Sequence, residues 1–382
     1  MNSSNFKYFI STNVTFGNGT RHQLLNLIEQ ESWKCLALIV DPNLMSVPII
    51  QDLIRQINDN VKDCLILKGP KNEPSYYDLE NLRLSLNDKT LDAVIGIGGG
   101  SIIDTAKGLA VLSKTKQAAT ELKGFNKFKG VALPIIAVPT TAGTGTEITP
   151  NASFVDTKVM QKMGINGDFV RPYHSFLDPE LTLSCPLKPT ISAAVDSLVH
   201  ATEAYVAKSS NELARIFAKE GFTRVYNALQ DFTKLQKCLN LRTELMFGAF
   251  LSGIALAHSG TGPSGAMSYP LGVHYNVPHG IGGGIFLPFV VEHNISNGFE
   301  GYGGLLFEDT KSSFRKVNSQ DFICLLTELF AKLGIPNNLL EFNIDKQLFV
   351  IETLKLQNAL DQNPVHFGRA DILDLLNKLC VA

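Results

Sequence analysis

Through its first half the chain alternates short apolar runs with stretches of helical periodicity, and that alternation leaves few folds open. NVTFGNGT enters a Gly-containing turn before HQLLNLIEQ, CLALIVDP precedes MSVPIIQDLIRQIND, and DCLILKG precedes YDLENLRLSL. LDAVIGIGGGSIIDTAKGLAVL reads as strand, Gly-rich turn and helix, and ALPIIAVPTTAGTGTE as strand and Gly/Thr loop. The apolar runs carry no polar alternation, so neither face of the sheet they build meets water. Such strands belong in a parallel sheet with helices packed on both sides.

Around LDPELTLSCPLKPT the pattern changes. Pro186 and Pro189 interrupt it, and long helical stretches follow, among them ISAAVDSLVHATEAYVAKS, ELARIFAKEGFTRVYNALQDF, RTELMFGAFLSGIALAHS, DFICLLTELFAKLGI and ADILDLLNKLC. A chain of 382 residues exceeds one ordinary core. Two domains are expected: an α/β domain over 1–186 with a nucleotide-binding look, and an all-helical domain over 187–382.

A net charge of −2 with no Lys/Arg block argues against a nucleic-acid surface. The six cysteines are scattered without a CxxC pair, which reads as buried thiols in a reducing compartment. MNSSNFKYFISTN lacks the shape of a signal peptide, and no apolar run is long enough to span a bilayer. A soluble cytoplasmic protein without a membrane or nucleic-acid partner is the expectation.

Two loops point to a nucleotide. Gly98, Gly99, Gly100 and Ser101 sit between an apolar strand and a helix, where glycines admit a pyrophosphate and helix-start N–H groups favour its charge. The spacing is not GxGxxG, and by itself this is equally a plain turn. PTTAGTGTEIT adds five threonines and two glycines after the next strand, a composition suited to the rim of a phosphate or nicotinamide site. Asp41 ends the CLALIVDP strand before Pro42, where an acid either holds a ribose 2′-OH or simply opens a turn.

Asp196 and His200 are four apart, which on a helix puts both side chains on one face, one turn apart. Solvent-facing pairs of this kind are common, but the flanking residues here are small and apolar. A buried carboxylate and imidazole need partners, and a divalent metal supplies one. His279, in a Pro-His-Gly turn, is the natural third ligand.

GGGSIIDTAK (98–107), PTTAGTGTEIT (139–149), the AAVDSLVHATEAY helix and the later PHG resemble, in order and separation, the signatures of the iron-containing (type III) alcohol dehydrogenases. LDPELTLSCP, LGIP (333–336) and NP followed by ADI (363–372) extend the likeness over nearly the whole chain. The resemblance implies a Rossmann-like dinucleotide-binding α/β domain, an all-α domain, a cleft between them as in dehydroquinate synthase-like architectures, and a homodimer. It implies that Gly98, Gly99, Gly100, Ser101, Asp104, Thr140, Thr141, Thr144 and Thr149 bind the cofactor, with Lys162 at its ribose. Asp41 then favours NAD over NADP. The implied metal, iron or zinc, falls to Asp196, His200 and His279.

One departure stands out. The family segment GLGxxHxxAHxLG aligns without a gap onto 260–272, and its ligand histidine becomes Gly265 while a second histidine becomes Tyr269. Three outcomes follow: a weakened three-ligand site, His258 or His274 as a surrogate, or loss of the metal. The first ranks highest. The implied reaction is NAD(H)-dependent interconversion of an alcohol and an aldehyde or ketone, with Tyr269 and His279 as catalytic candidates. The Gly265 and Tyr269 exchanges, with Ser264 adding a hydroxyl, suggest a polar, polyhydroxylated or acidic substrate. The alternatives are a metal-depleted nucleotide-binding relative and a non-redox dehydroquinate synthase-like enzyme. The latter needs basic residues near the metal that the Asp196 helix lacks.

Overall fold

The computed structural model describes residues 5–87, 89–305, 307–310, 313–316 and 318–380. Strands β1 (Asn13–Phe16), β2 (Cys35–Val40), β3 (Asp63–Lys68), β4 (Ala93–Gly98), β5 (Gly124–Phe125), β6 (Ile135–Pro139), β7 (Asn151–Asp156), β8 (Gln161–Asn166) and β9 (His174–Leu177) precede the helical half. Six of them form one sheet in the order β1-β9-β6-β4-β2-β3. Every pairing in it is parallel. The central strands β4 and β6 are buried along their whole length, as uninterrupted apolar runs require, whereas edge strand β3 alternates in exposure.

Helices α1 (Gln23–Gln30), α2 (Pro48–Asn60), α3 (Tyr76–Leu84) and α4 (Gly100–Leu112) cover the sheet. Separate apolar clusters lie on its two faces. The sequence reading did not anticipate the small sheet β5-β8-β7, in which β7 and β8 run antiparallel. Its strands are short and half-polar, so they lack the apolar signature of the main sheet.

The helical half holds α5 (Leu187–Val206), α6 (Glu212–Gln230), α7 (Leu239–Ser259), α8 (Pro263–Tyr275) and α9 (His279–Ser296). After a hairpin of β10 (Phe307–Thr310) and β11 (Ser313–Lys316) come α10 (Ser319–Leu333), α11 (Lys346–Leu354), α12 (Gln357–Leu360) and α13 (Arg369–Leu379). Pro186 is the N-cap residue of α5. His279 does not sit in a turn as expected: it is the first residue of α9, which runs through HGIGGG without a break.

Those glycines have a packing reason. A Cβ at Gly280 would collide with the Ser192 carbonyl of α5, and one at Gly284 would lie 2.6 Å from Val195 Cγ1. A Cβ at Gly283 would press on Val199 Cγ2 at 3.2 Å. Helix α9 therefore lies close on α5, backbone on backbone at Gly280 and backbone on valine side chains at Gly283 and Gly284, which offsets the poor helix propensity of glycine. The Thr loop meets the helical half in the same way, since a Cβ at Gly143 would strike the Ala193 carbonyl.

All six cysteines are free thiols, but only Cys185 is buried and Cys324 is exposed, which corrects the expectation of uniformly buried thiols. Among the described residues no single helix is long and apolar enough to cross a membrane.

Candidate active site

Helix α5 carries Asp196 and His200 one turn apart on a buried face, and the α5–α9 glycine contact brings His279 opposite them. One donor atom from each of the three lies within 4.8 Å of the other two. Asp196 Oδ1 is 3.6 Å from His200 Nε2 and 3.8 Å from His279 Nε2, too far for good hydrogen bonds. Donors at about 2.1 Å around a tetrahedral ion stand roughly 3.4 Å apart, so the three side chains fit a divalent metal with little movement.

The ring of His279 is held by a residue that the sequence did not single out. Ser268 Oγ donates to the Gly265 carbonyl at 2.6 Å and lies 2.7 Å from His279 Nδ1. A carbonyl only accepts and a serine hydroxyl carries one proton, so Nδ1–H must donate to Ser268. Nε2 is then left with its lone pair toward Asp196. Burial pushes His279 down to about 4 against the pull of the Asp196 carboxylate, so the imidazole is neutral at neutral pH. The buried Nδ1 of His200 has no hydrogen-bond partner among the described residues.

The gap at Gly265 is closed from behind by Glu203, two turns along α5 from Asp196. Its buried carboxylate accepts from Thr261 Oγ1 (2.7 Å), Gly262 N (2.7 Å), Ser264 N (2.6 Å) and Gly265 N (3.2 Å). An acid capping the first turn of α8 satisfies its free N–H groups and complements the helix dipole. A Cβ at Gly265 would collide with Thr261 Oγ1. Neither surrogate histidine fills the gap. His258 stacks on Tyr8 with its ring centroid 3.9 Å away, and His274 packs against Tyr275. Ser264, expected on the substrate side, is fully buried and lies outside the cleft lining.

A cleft of about 820 Å³ runs from the triad to the N-terminus of α4. Of the expected cofactor residues, Gly100, Ser101, Asp104, Thr144, Thr149 and Lys162 line it. Gly98 closes β4, and a Cβ on Gly99 would stand 3.2 Å from Thr141 Oγ1. Thr140 N donates to the Gly98 carbonyl at 2.9 Å, so the two loops are tied together beside the helix start. Asp41 lies outside the lining, and its Oδ1 accepts from Asn43 N at 2.9 Å, closing a local turn.

Asp104 is half-buried at the cleft wall and accepts from Thr146 Oγ1 and from Ser153 N at 2.9 Å. Lys107 donates to Thr146 Oγ1, the Thr149 carbonyl and the Asn151 carbonyl at 2.7–2.9 Å. Burial pushes Lys107 down to about 8, partly offset by Asp104. Three acceptors still keep it an ammonium at neutral pH, and together the pair clamps the Thr loop onto α4.

Lys162, on β8, meets both oxygens of Glu73 at 2.8 and 2.7 Å. Its ammonium also stands 4.9 Å from the Tyr269 ring centroid, and Tyr269 meets His279 edge-on at 5.1 Å. Burial opposes the Lys162 charge, but Glu73 and Tyr269 outweigh it and the pKa is raised. Glu73 is likewise lowered: burial works against its charge, and Lys162 overcomes that. Both directions describe an intact ion pair. Glu73, Ser268 and Glu203 were not found from sequence: Glu203 and Ser268 lie inside segments that carry the family likeness, but nothing in the spacing of any of the three shows the partner it meets.

Residues 11–179 match the family model of the iron-containing alcohol dehydrogenases, and residues 190–380 match that of the Fe-containing alcohol dehydrogenase family, C-terminal. Alcohol dehydrogenase 4 of Saccharomyces cerevisiae is 25% identical over 375 residues, 97% of each chain. The NAD-dependent methanol dehydrogenase of Bacillus methanolicus is 25% identical over 343 residues, 89% of this chain and 90% of that one. The crystal structure of a 1,3-propanediol oxidoreductase superposes with a TM-score of 0.90 at 22% identity, covering 98% of this chain and 100% of the other.

Proposed function

The chain belongs to the iron-containing alcohol dehydrogenases, an NAD-dependent oxidoreductase family, and from that premise we propose that Asp196, His200 and His279 hold its divalent metal and that the cleft above α4 holds NAD. The observation that carries this reading is that the three donor atoms open into the same cleft as Gly100, Ser101 and Lys162. When bound, the metal supplies a Lewis acid for the alcohol oxygen and NAD⁺ supplies the hydride acceptor.

The rest falls to the chain's own groups. The α4 N-terminus presents backbone N–H groups to a pyrophosphate, and Gly100 keeps the approach open. Thr144 and Thr149 line the path toward the triad, and Lys162, fixed by Glu73, stands where a ribose hydroxyl would need a donor. Asp41, one strand over at the end of β2, is assigned to the adenosine ribose and to NAD preference. Ser268 keeps His279 in the tautomer a metal requires. Tyr269 lines the cleft beside His279 and is the hydroxyl we assign to carry the alcohol proton away. Its replacement by Phe should lower kcat at least about tenfold with NAD binding unchanged; unchanged kcat removes the assignment.

Three protein ligands leave a site of reduced affinity, so activity should depend on added Fe²⁺ or Zn²⁺. The test is a screen of small alcohols with NAD⁺, with and without metal. No turnover of any alcohol by metal-loaded protein overturns the reading. We further read the protein as a cytoplasmic homodimer divided near residue 187, supported by the open edge of β1 and the Pro186 start of α5. Light scattering in solution checks the dimer.

A further inference from the structure

Beyond the wall that Lys162 and Tyr269 form lies a second and much smaller cavity, of about 10 Å³. Both residues also line the main cleft, so they are the partition between the two spaces. The far side is closed by His274, on the last turn of α8, and by Glu352 of α11. A volume of that size takes a single water, provided polar groups hold it. His274 supplies one such group. Its Nε2 is shut from bulk solvent and has no hydrogen-bond partner among the described residues, while the residue as a whole is only half-buried. A buried ring nitrogen left unpaired is unfavourable, and a water is the partner the cavity has room for.

The neighbouring groups are otherwise engaged. Lys162 is ion-paired to Glu73 at 2.7 Å, and an ammonium has no lone pair with which to take a proton. Glu352 Oε1 meets Lys355 Nζ at 2.7 Å. Tyr275 stands edge-on to the His274 ring with centroids 6.3 Å apart, and its hydroxyl accepts from Asp345 N at 2.9 Å. Of the titratable groups beyond the partition, His274 is the one left to accept, and imidazole is the side chain that ordinarily exchanges a proton near neutral pH. It stands on α8, five residues before His279 and on a different helix from any of the three proposed ligands.

We propose that His274 is the proton outlet of the cleft. In alcohol oxidation the C–H hydride goes to NAD⁺ and the O–H proton has to leave. Tyr269 takes that proton as it gives its own to the cavity water, and the water passes one to His274 Nε2. The imidazolium so formed sheds it to solvent through its exposed surface. Tyr269 and the water end as they began, so one alcohol and one NAD⁺ become one carbonyl compound, one NADH and one proton. His274 touches no reacting atom and acts through Tyr269 and the water. The inference rests on the dehydrogenase reading and on the Tyr269 assignment, and adds where the proton goes next.

The test uses full-length Zn²⁺-loaded protein with NAD⁺ and the best alcohol of the screen, and follows kcat against buffer concentration at constant pH and ionic strength. His274→Gln keeps a polar side chain against the water but cannot carry a proton onward. At low buffer its kcat should fall at least about fivefold, with KM for NAD⁺, metal content and melting unchanged. Added imidazole should bring His274→Ala back to within about twofold of wild type at the same imidazole concentration, a comparison that corrects for binding to the metal. A kcat unchanged in both variants, or a loss that imidazole does not repair, overturns the outlet. A wild type that turns over no alcohol defeats the dehydrogenase reading and this inference together, whereas turnover that ignores His274 defeats this one alone.

Discussion

Replacing Ser268 with Ala tests how much of the metal site lies outside its ligands. The serine accepts from His279 Nδ1–H at 2.7 Å because its own proton is committed to the Gly265 carbonyl at 2.6 Å. Without it, the buried imidazole either leaves an N–H unpaired or moves its proton to Nε2, where a metal would bind. Stranding a buried donor costs about 1–3 kcal/mol. At about 1.4 kcal/mol per decade, that is roughly a five- to hundredfold loss of metal affinity, in line with the effect expected for an outer partner of a ligating histidine. Competition for Zn²⁺ against a chromophoric chelator at pH 7.5 measures it directly. Ser264→Ala is the control, because its hydroxyl is buried without a hydrogen-bond partner among the described residues. Equal affinities for Ser268→Ala and wild type, with both melting alike, would refute the tautomer reasoning.

Gly265→His should raise Zn²⁺ retention after dialysis at least about tenfold. Its Cβ must first displace the Thr261 hydroxyl, costing about 1 kcal/mol through the lost bond to Glu203; adding Thr261→Ala removes the clash, and a double variant no tighter than wild type would contradict the position. A Cβ at Gly100 would lie 2.7 Å from Thr144 Cγ2, so Gly100→Ala should raise the KM for NAD⁺ about tenfold or more with metal content unchanged. Lys107 has a folded-state pKa depressed to about 8 from 10.5. As pH rises above 8 the native state releases this proton first, while the unfolded chain keeps it until about 10.5. Stability should therefore increase from pH 8 to about pH 9.5 by up to ~2 kcal/mol relative to Lys107→Met, measured by urea unfolding. A parallel pH profile in the variant would remove the buried ammonium as the cause.

The parallel sheet was legible because β2, β4 and β6 are apolar along their whole length, a pattern few other settings allow. Asp196 and His200 were legible as a pair because helical spacing alone puts them on one face. His279 could be nominated but its setting could not, because HGIGGG looks like a loop to any propensity scale. Only contact with α5 makes it a helix. Ser268, Glu203 and Glu73 were invisible for a related reason: each acts on a residue at least eleven positions away, through a register that tertiary packing alone defines.

The proposed metal site, with three protein ligands, depends on how little those ligands wander. Most helix pairs meet through side chains, whose rotamers yield when one helix creeps along the other. Between α5 and α9 little can yield, since Gly280 rests on the Ser192 carbonyl and Gly284 on the stiff, branched Val195 side chain. The span from Asp196 to His279 is thus set at Gly280 by main chain against main chain, like a gauge block. What the proposed three-ligand site forgoes in coordination number the seam recovers in stiffness, and a methyl group added at Gly280, pressed against the Ser192 carbonyl and the Asp196 Cβ, would open the jaws.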